Sequence, residues 1–160
     1  MKPSFAKDLN MENYVNLLKK EKELLIENKL LIHEDKSSYL QLLSYGIILS
    51  NQWYFYQKHK YMYLLEQYLI GTVGALELKL RFFKMYQQDE SDLDCLEQSL
   101  EDLLTFPIDD KSDGFDTLMN QLFAVCEVLN DSAEMSCMNQ AQFCLAVEDI
   151  FSKMKPYCLK

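Results

Sequence analysis

Between Phe115 and Leu129 the apolar residues Phe115, Leu118, Met119, Leu122, Phe123, Cys126 and Leu129 recur at spacings of three and four. A helix gathers such a set on one face, whereas a strand sends alternate residues to opposite sides. The segment is therefore expected to be an amphipathic helix, and other stretches repeat its pattern. Phe143, Val147, Ile150, Phe151 and Met154 form a second series that is expected to run until Pro156. Leu93, Leu96, Leu100, Leu103 and Leu104 form a third, closed by Pro107. With only 4 Gly and 3 Pro in 160 residues, a fold built on many tight turns is disfavoured. The expectation is an all-α protein, an antiparallel helical bundle with an additional N-terminal helical layer.

The N-terminal layer is expected to begin with a helix from Asn10 to His33, carrying Met11, Tyr14, Leu18, Leu25 and Ile32 on one side and the polar run Lys19–Glu23 on the other. The break His33–Ser38 supplies Ser37 or Ser38 as the next cap. Tyr39–Tyr63 is nearly continuous in apolar and aromatic residues, so a strand pair competes with a helix. The stretch contains no Asn-Gly or Asp-Gly turn, which favours the helix, with Gly46 as a candidate interruption. Trp53, Tyr54, Phe55 and Tyr56 point in all directions from such a helix, so a partner or the first helix must cover some of them. The organisation expected is an extension over residues 1–60 packed on an acidic four-helix bundle over residues 61–160.

Within the bundle, Tyr61–Ile70 and Ala75–Tyr86 are expected to be short helices meeting at Gly71 and Gly74. Gly71 suits the left-handed residue that ends one helix, and Gly74 the N-cap of the next. Glu77 then stands at N3, placed for a capping box, while Val73 and Leu78 can form a hydrophobic staple. Leu76, Leu80 and Phe83 are expected to share one face of the second helix. The sequence GTVG lacks the spacing and the lysine of a phosphate-binding loop, so the glycines are architectural. Gln87–Asp94 reads as a polar connector ending in a Ser91 cap, and Asn130–Ser136 as a second break before the last helix.

Charge is distributed unevenly. Residues 1–60 carry 9 Lys against 7 acids, whereas residues 61–160 carry 7 basic and 18 acidic residues. From Met85 to Ser152 a single lysine, Lys111, faces 16 acids. Phosphate binding needs the opposite sign, so no direct nucleic-acid ligand is expected, and the fitting partner is a basic protein. Catalytic constellations are lacking: His33 and His59 belong to no metal-binding pair, and no nucleophile signature surrounds a serine or cysteine. Asp109 with Asp110, and Asp89 with Glu90, are adjacent carboxylates without the spacing of a calcium loop. A non-enzymatic protein without cofactor or metal is expected. Five cysteines without a CxxC pair suggest reduced thiols, and the N-terminus shows no targeting segment, which together point to the cytoplasm or an equivalent reducing compartment. No apolar run of membrane-spanning length is present.

Three segments also carry a family resemblance: YLLEQYLIGTVGALELKLRFFKMYQQDE, DKSDGFDTLMNQLFAVCE and FCLAVEDIFSKM. An apolar helix ending in Gly, a short turn, an acid with paired aromatics, then a polar loop leading into Phe and a helix, resemble the colicin D immunity-like family over about residues 63–155. The resemblance implies a small acidic helical bundle that protects a cell from its own nuclease toxin by occupying the toxin's cationic RNA-binding site. The first 60 residues depart from that pattern. The partner-binding face is expected at Asp89, Glu90, Asp92, Asp94, Glu97, Glu101, Asp109, Asp110, Asp113 and Asp116. The alternative is an assembly subunit that docks through Trp53, Tyr54, Tyr56 and Tyr61.

Overall fold

The structure, a computed structural model, describes residues 9–129 and 139–158. The break expected at Asn130–Ser136 and Cys137 lie outside the described residues. The fold is all-α, with helices α1 (Met11–Ile26), α2 (Leu31–Glu34), α3 (Lys36–Tyr56), α4 (Lys58–Leu69), α5 (Ala75–Gln98), α6 (Leu100–Thr105), α7 (Phe115–Val128) and α8 (Gln140–Cys158). A 3-10 turn at Asp110–Ser112 lies between α6 and α7.

Local chemistry explains the helix ends. The Asn10 side chain accepts from the Asn13 N–H at 3.0 Å and starts α1. The end of α1 is a Schellman turn in which Asn28, at φ 58°, is the left-handed residue, and the Asn28 and Lys29 N–H groups donate to the carbonyls of Leu25 and Leu24. The helix expected over Asn10–His33 is therefore interrupted, and α2 follows as a single turn. Asp35, rather than Ser37 or Ser38, caps α3: its carboxylate accepts from the Ser38 N–H and Oγ, and Lys20 pairs with it at 2.7 Å. Carboxylates are strong N-caps because they satisfy orphan N–H groups and suit the positive helix end. Asn139 and Gln142 form a reciprocal capping pair at the start of α8, with distances of 2.8 and 3.2 Å.

The glycine corner has the expected form in most respects. Gly71 is left-handed at φ 87°, its N–H donates to the Tyr68 carbonyl, and the Thr72 N–H donates to the Gln67 carbonyl. That pair of bonds completes a second Schellman turn. The Gly74 carbonyl accepts from the Leu78 N–H, while Val73 and Leu78 are both buried in one cluster, as the staple requires. Glu77 departs from the capping box, since its carboxylate pairs with Arg81 at 2.6 Å. The face of α5 that carries Leu76, Leu80 and Phe83 is not its buried one: Leu78 and Phe82 are buried, whereas Leu76 and Leu80 are exposed and Phe83 is partly buried. The staple sets this rotation, because anchoring Leu78 inward places Phe82, one turn later, on the same side.

Two further boundaries are corrected. Gln87–Asp94 is no connector: α5 runs through it to Gln98, with no Gly or Pro to stop it and with Asp89 paired inside. The interruption comes at Ser99, whose carbonyl accepts from the Leu103 N–H to open α6. At the other end α8 continues past Pro156 to Cys158, the proline falling in its last turn. Gly46 lies inside α3 without interrupting it.

The chain divides into two compact units, each with its own core. The first comprises the N-terminal part through Trp53 together with Asp92–Asp113, and the second comprises Tyr54–Ser91 together with the part from Gly114 onward. This division differs from the expected one at residue 60, and Leu93 and Leu103 show why. Both are buried with Tyr14, Val15, Leu17, Leu31, Leu42, Tyr45 and Leu49, so the acidic segment belongs to the core of the N-terminal helices. Burying these apolar side chains supplies the main favourable term, about 1.5–3 kcal/mol for each large aliphatic one. Gln52 on α3 fixes the loop after α6 by donating to the Asp109 carbonyl at 2.9 Å and accepting from the Asp109 N–H at 3.0 Å. Asn51 and Gln52 both donate to the Ser112 hydroxyl, which keeps these buried amides satisfied.

The second unit is built on aromatic rings. Tyr61, Phe82, Phe115 and Phe143 are fully buried with Leu65, Leu78, Leu122 and Met154, and α8 packs against both α4 and α7. The expected apolar series of α7 and α8 are the buried faces of those helices, apart from Phe123 and Phe151, which are partly buried. Edge-to-face pairs recur, among them Phe55 with Phe115 at 5.7 Å and Tyr68 with Phe143 at 5.4 Å.

Candidate functional site

The ten acids expected on one binding face have different fates. Asp89 is fully buried in the second unit, where Lys60 pairs with it and the Tyr61 hydroxyl donates to it. Burial first, and the Asp89 carboxylate second, hold the Tyr61 phenol protonated well above its ordinary range. Asp89 is thus a core residue, and its place in the binding face is withdrawn. Its neighbour Glu90 is exposed. With the helix expected to end at Tyr86, periodicity did not separate the two, although in α5 Asp89 stands seven residues after Phe82 on its buried face, where Lys60, 29 positions earlier, pairs with it.

The remaining acids lie mostly in the first unit. Residues 92–113 contain eight acids and one basic residue, Lys111. Glu97 is half-buried, and burial, followed by the charge of Asp94, pushes its carboxyl above the ordinary value of 4.5 while the Tyr14 hydroxyl partly offsets this. Asp109 is exposed but accepts from the Lys111 N–H at 2.9 Å, so its carboxylate shapes the turn. Asp113 and Asp116 are partly buried, and Asp116 accepts from the Thr117 N–H. Asp92, Asp94, Glu101 and Asp110 are exposed. Among the described residues, Asp94, Glu101 and Asp110 enter no ion pair, and Leu104 and Ile108 are exposed in the same segment. Exposed carboxylates interspersed with apolar side chains can attract a cationic surface and then exclude water from the contact.

The aromatic set expected as an alternative docking surface does not present itself as one. Tyr54 and Tyr61 are buried in the second unit, Tyr54 stacking on Tyr86 at 5.0 Å. Trp53 is partly buried in the first unit and packs against Phe106 at 5.8 Å. Tyr56 alone of the four is classed as exposed. Trp53, Tyr54 and Phe55 are covered within the chain because α3 contributes side chains to both cores.

A groove of about 420 Å³ opens in the second unit between α5 and α7, lined by Phe83, Tyr86, Gln87, Glu90, Asn120 and Phe123. Sequence reasoning missed it, although Phe83, Tyr86, Gln87 and Glu90 follow the i, i+3, i+4, i+7 spacing of one helical face. The signal was hidden by ending the helix at Tyr86. Phe123, on α7, lies 5.2 Å from both Phe83 and Tyr86.

No group of three or more His, Cys, Asp or Glu among the described residues could hold a metal ion. Cys126, Cys144, Cys158 and Cys95 are free thiols, and burial pushes the Cys126 thiol up to about 12. No helix among the described residues is long and apolar enough to cross a membrane. Compared with known family models, curated proteins and solved structures, the chain matches none.

Proposed function

We propose that this chain is a non-enzymatic protein-binding module whose acidic segment, residues 92–113, engages a basic protein surface. The observation that carries the reading is the exposure of Asp94, Glu101 and Asp110 without ion-pair partners among the described residues, in a segment whose one cation is Lys111. Leucines on the same segment face the first unit's core, so the carboxylates are held on an ordered scaffold. Carboxylates fixed in this way steer association with a cationic site and occupy positions where phosphates would sit. The resemblance to the colicin D immunity-like family implies a nuclease domain with a basic RNA-binding cleft as that partner, which makes an immunity-like role the specific form of the proposal. Reducing surroundings, such as the cytoplasm, suit its free thiols.

The test is capture of partners from the native cell with wild-type chain and with a chain carrying Asp94→Asn, Glu101→Gln and Asp110→Asn. The expected partner is basic, is released by salt, is displaced by RNA and is captured less well by the neutralised chain. Recovery of an acidic partner that resists salt would overturn the reading. A second reading, a subunit of a larger assembly, is favoured by one observation: Leu40, Leu43 and Ile47 are exposed on α3 at helical spacing. A monodisperse monomer that binds no hydrophobic dye removes that reading.

A further inference from the structure

We propose that the groove lined by α5 and α7 receives the guanidinium group of an arginine side chain presented by a protein partner. The proposal rests on the reading of the partner as a basic protein, and it assigns a specific subsite to it. Three kinds of group converge there. Phe83, Tyr86 and Phe123 supply an aromatic wall, with Phe123 crossing Phe83 at 75° and Tyr86 at 54°. Tyr86 is held in this wall by its stack on Tyr54 at 5.0 Å and by Phe82 at 5.7 Å. Glu90 supplies a carboxylate that is exposed and enters no ion pair among the described residues. Gln87 and Asn120 supply two exposed amides whose side chains make no hydrogen bond among the described residues.

This combination selects its occupant by elimination. An anion is repelled by Glu90, and a purely apolar ligand would desolvate the carboxylate and both amides without replacing their hydrogen bonds. A cation satisfies the carboxylate, and the aromatic faces attract it. Arginine fits better than lysine because the planar guanidinium stacks on rings, is weakly hydrated and has five donors to share among a carboxylate and two amide oxygens. The volume of about 420 Å³ lies within the range of roughly 300–1,000 Å³ usual for ligand sites, room for an arginine side chain and its adjoining backbone. The neighbouring carboxylate does not compete, since Asp89 is already neutralised by Lys60 inside the core.

The experiment is a titration of the full chain, followed by amide and aromatic-ring NMR, with three capped peptides that differ at one position: arginine, lysine, and citrulline, the neutral near-isostere of arginine. With the arginine peptide, saturable shifts are expected at residues 83–90 and 120–123. Citrulline is expected to bind about tenfold more weakly, and Glu90→Gln to weaken arginine binding by a similar factor, the scale of one cation–π or charge-assisted contact. Lysine is expected to fall between the two. Equal binding of arginine and citrulline peptides, shifts confined to residues 92–113, or no shift at the groove would overturn the proposal. Partner capture separates this failure from failure of the functional reading: a basic, salt-released partner retained in full by the Glu90→Gln chain defeats the groove alone, whereas absence of any basic partner defeats the broader reading.

Discussion

In the second unit the Asp89 carboxylate is buried against Lys60 and Tyr61, whereas in the first unit Asp94 and Asp110 stand exposed with no ion pair among the described residues. The same side chain is structural in one place and presented to solvent in the other. What differs is the framework. The second unit surrounds its carboxylate with rings and a lysine from α4, while the first uses two amides, Asn51 and Gln52, to fix a turn whose charged side chains are exposed. Charge counted along a sequence therefore overstates what a partner can meet, and only the exposed fraction can steer association.

The contrast is broken most severely in the cores. Phe82→Ala in the second unit is expected to cost about 4 kcal/mol and Leu49→Ala in the first about 3 kcal/mol, both measured by urea unfolding. A cost below about 1 kcal/mol at either position would mean that the corresponding core is misassigned. Next in size is the contrast of carboxylates. Asp89→Asn is expected to cost about 2–3 kcal/mol, because the Tyr61 hydroxyl loses a charged acceptor in a buried site and Lys60 loses its counter-ion. Asp94→Asn is expected to stay within about 0.5 kcal/mol, so similar costs at the two positions would erase the distinction.

Smaller effects test a feature the units share. Both close a helix with a Schellman turn, through Asn28 in the first unit and Gly71 in the second. A Cβ at Gly71 would meet nothing within 4 Å, so the cost of Gly71→Ala, about 1 kcal/mol, should come from the left-handed backbone alone. Asn28→Gly should be neutral or slightly stabilising, since asparagine already tolerates that conformation less well than glycine. Equal losses at both sites would contradict this account.

The pH dependence of the first unit is expected to have two opposing parts. Asp35 is held well below the ordinary carboxylate range by its bonds to Lys20 and Ser38, so its contribution is complete above the ordinary value of 3.8 and is lost as pH falls below it. Glu97 is raised above 4.5 by burial, with Asp94 and Glu21 adding to the shift and Tyr14 opposing it. The folded state therefore holds the Glu97 proton more tightly, and stability declines as pH rises from the ordinary value through the raised one. Glu97→Gln should remove that decline while leaving the acid-side loss due to Asp35. Unfolding curves across acidic pH check both signs.

Much of the fold was legible because it rests on periodicity. Phe115–Leu129 and Phe143–Met154 show their buried faces through spacing alone, and the Gly71 turn through residue type. The buried face of α5 was less legible, because two candidate stripes are apolar and the Val73–Leu78 staple decides between them. The candidate site was the hardest part to read. Long-range partners such as Lys60 for Asp89 and Gln52 for Asp109 remove acids from the surface or fix their turn, and no local pattern announces either. Ring burial likewise depends on partners distant in sequence, such as Tyr86 for Tyr54 and Asp89 for Tyr61, which is why these two surface candidates are core residues of the second unit.

The central claim, that exposed acids of residues 92–113 draw in a basic protein, is tested most directly by the association rate of the captured partner at several ionic strengths. For wild type the rate should fall steeply between about 10 mM and 0.5 M salt, as the screening length shortens from roughly 30 Å towards a few ångströms. The chain with Asp94→Asn, Glu101→Gln and Asp110→Asn should associate more slowly at low salt and show a shallower dependence. Identical rates and slopes for the two chains would contradict the account.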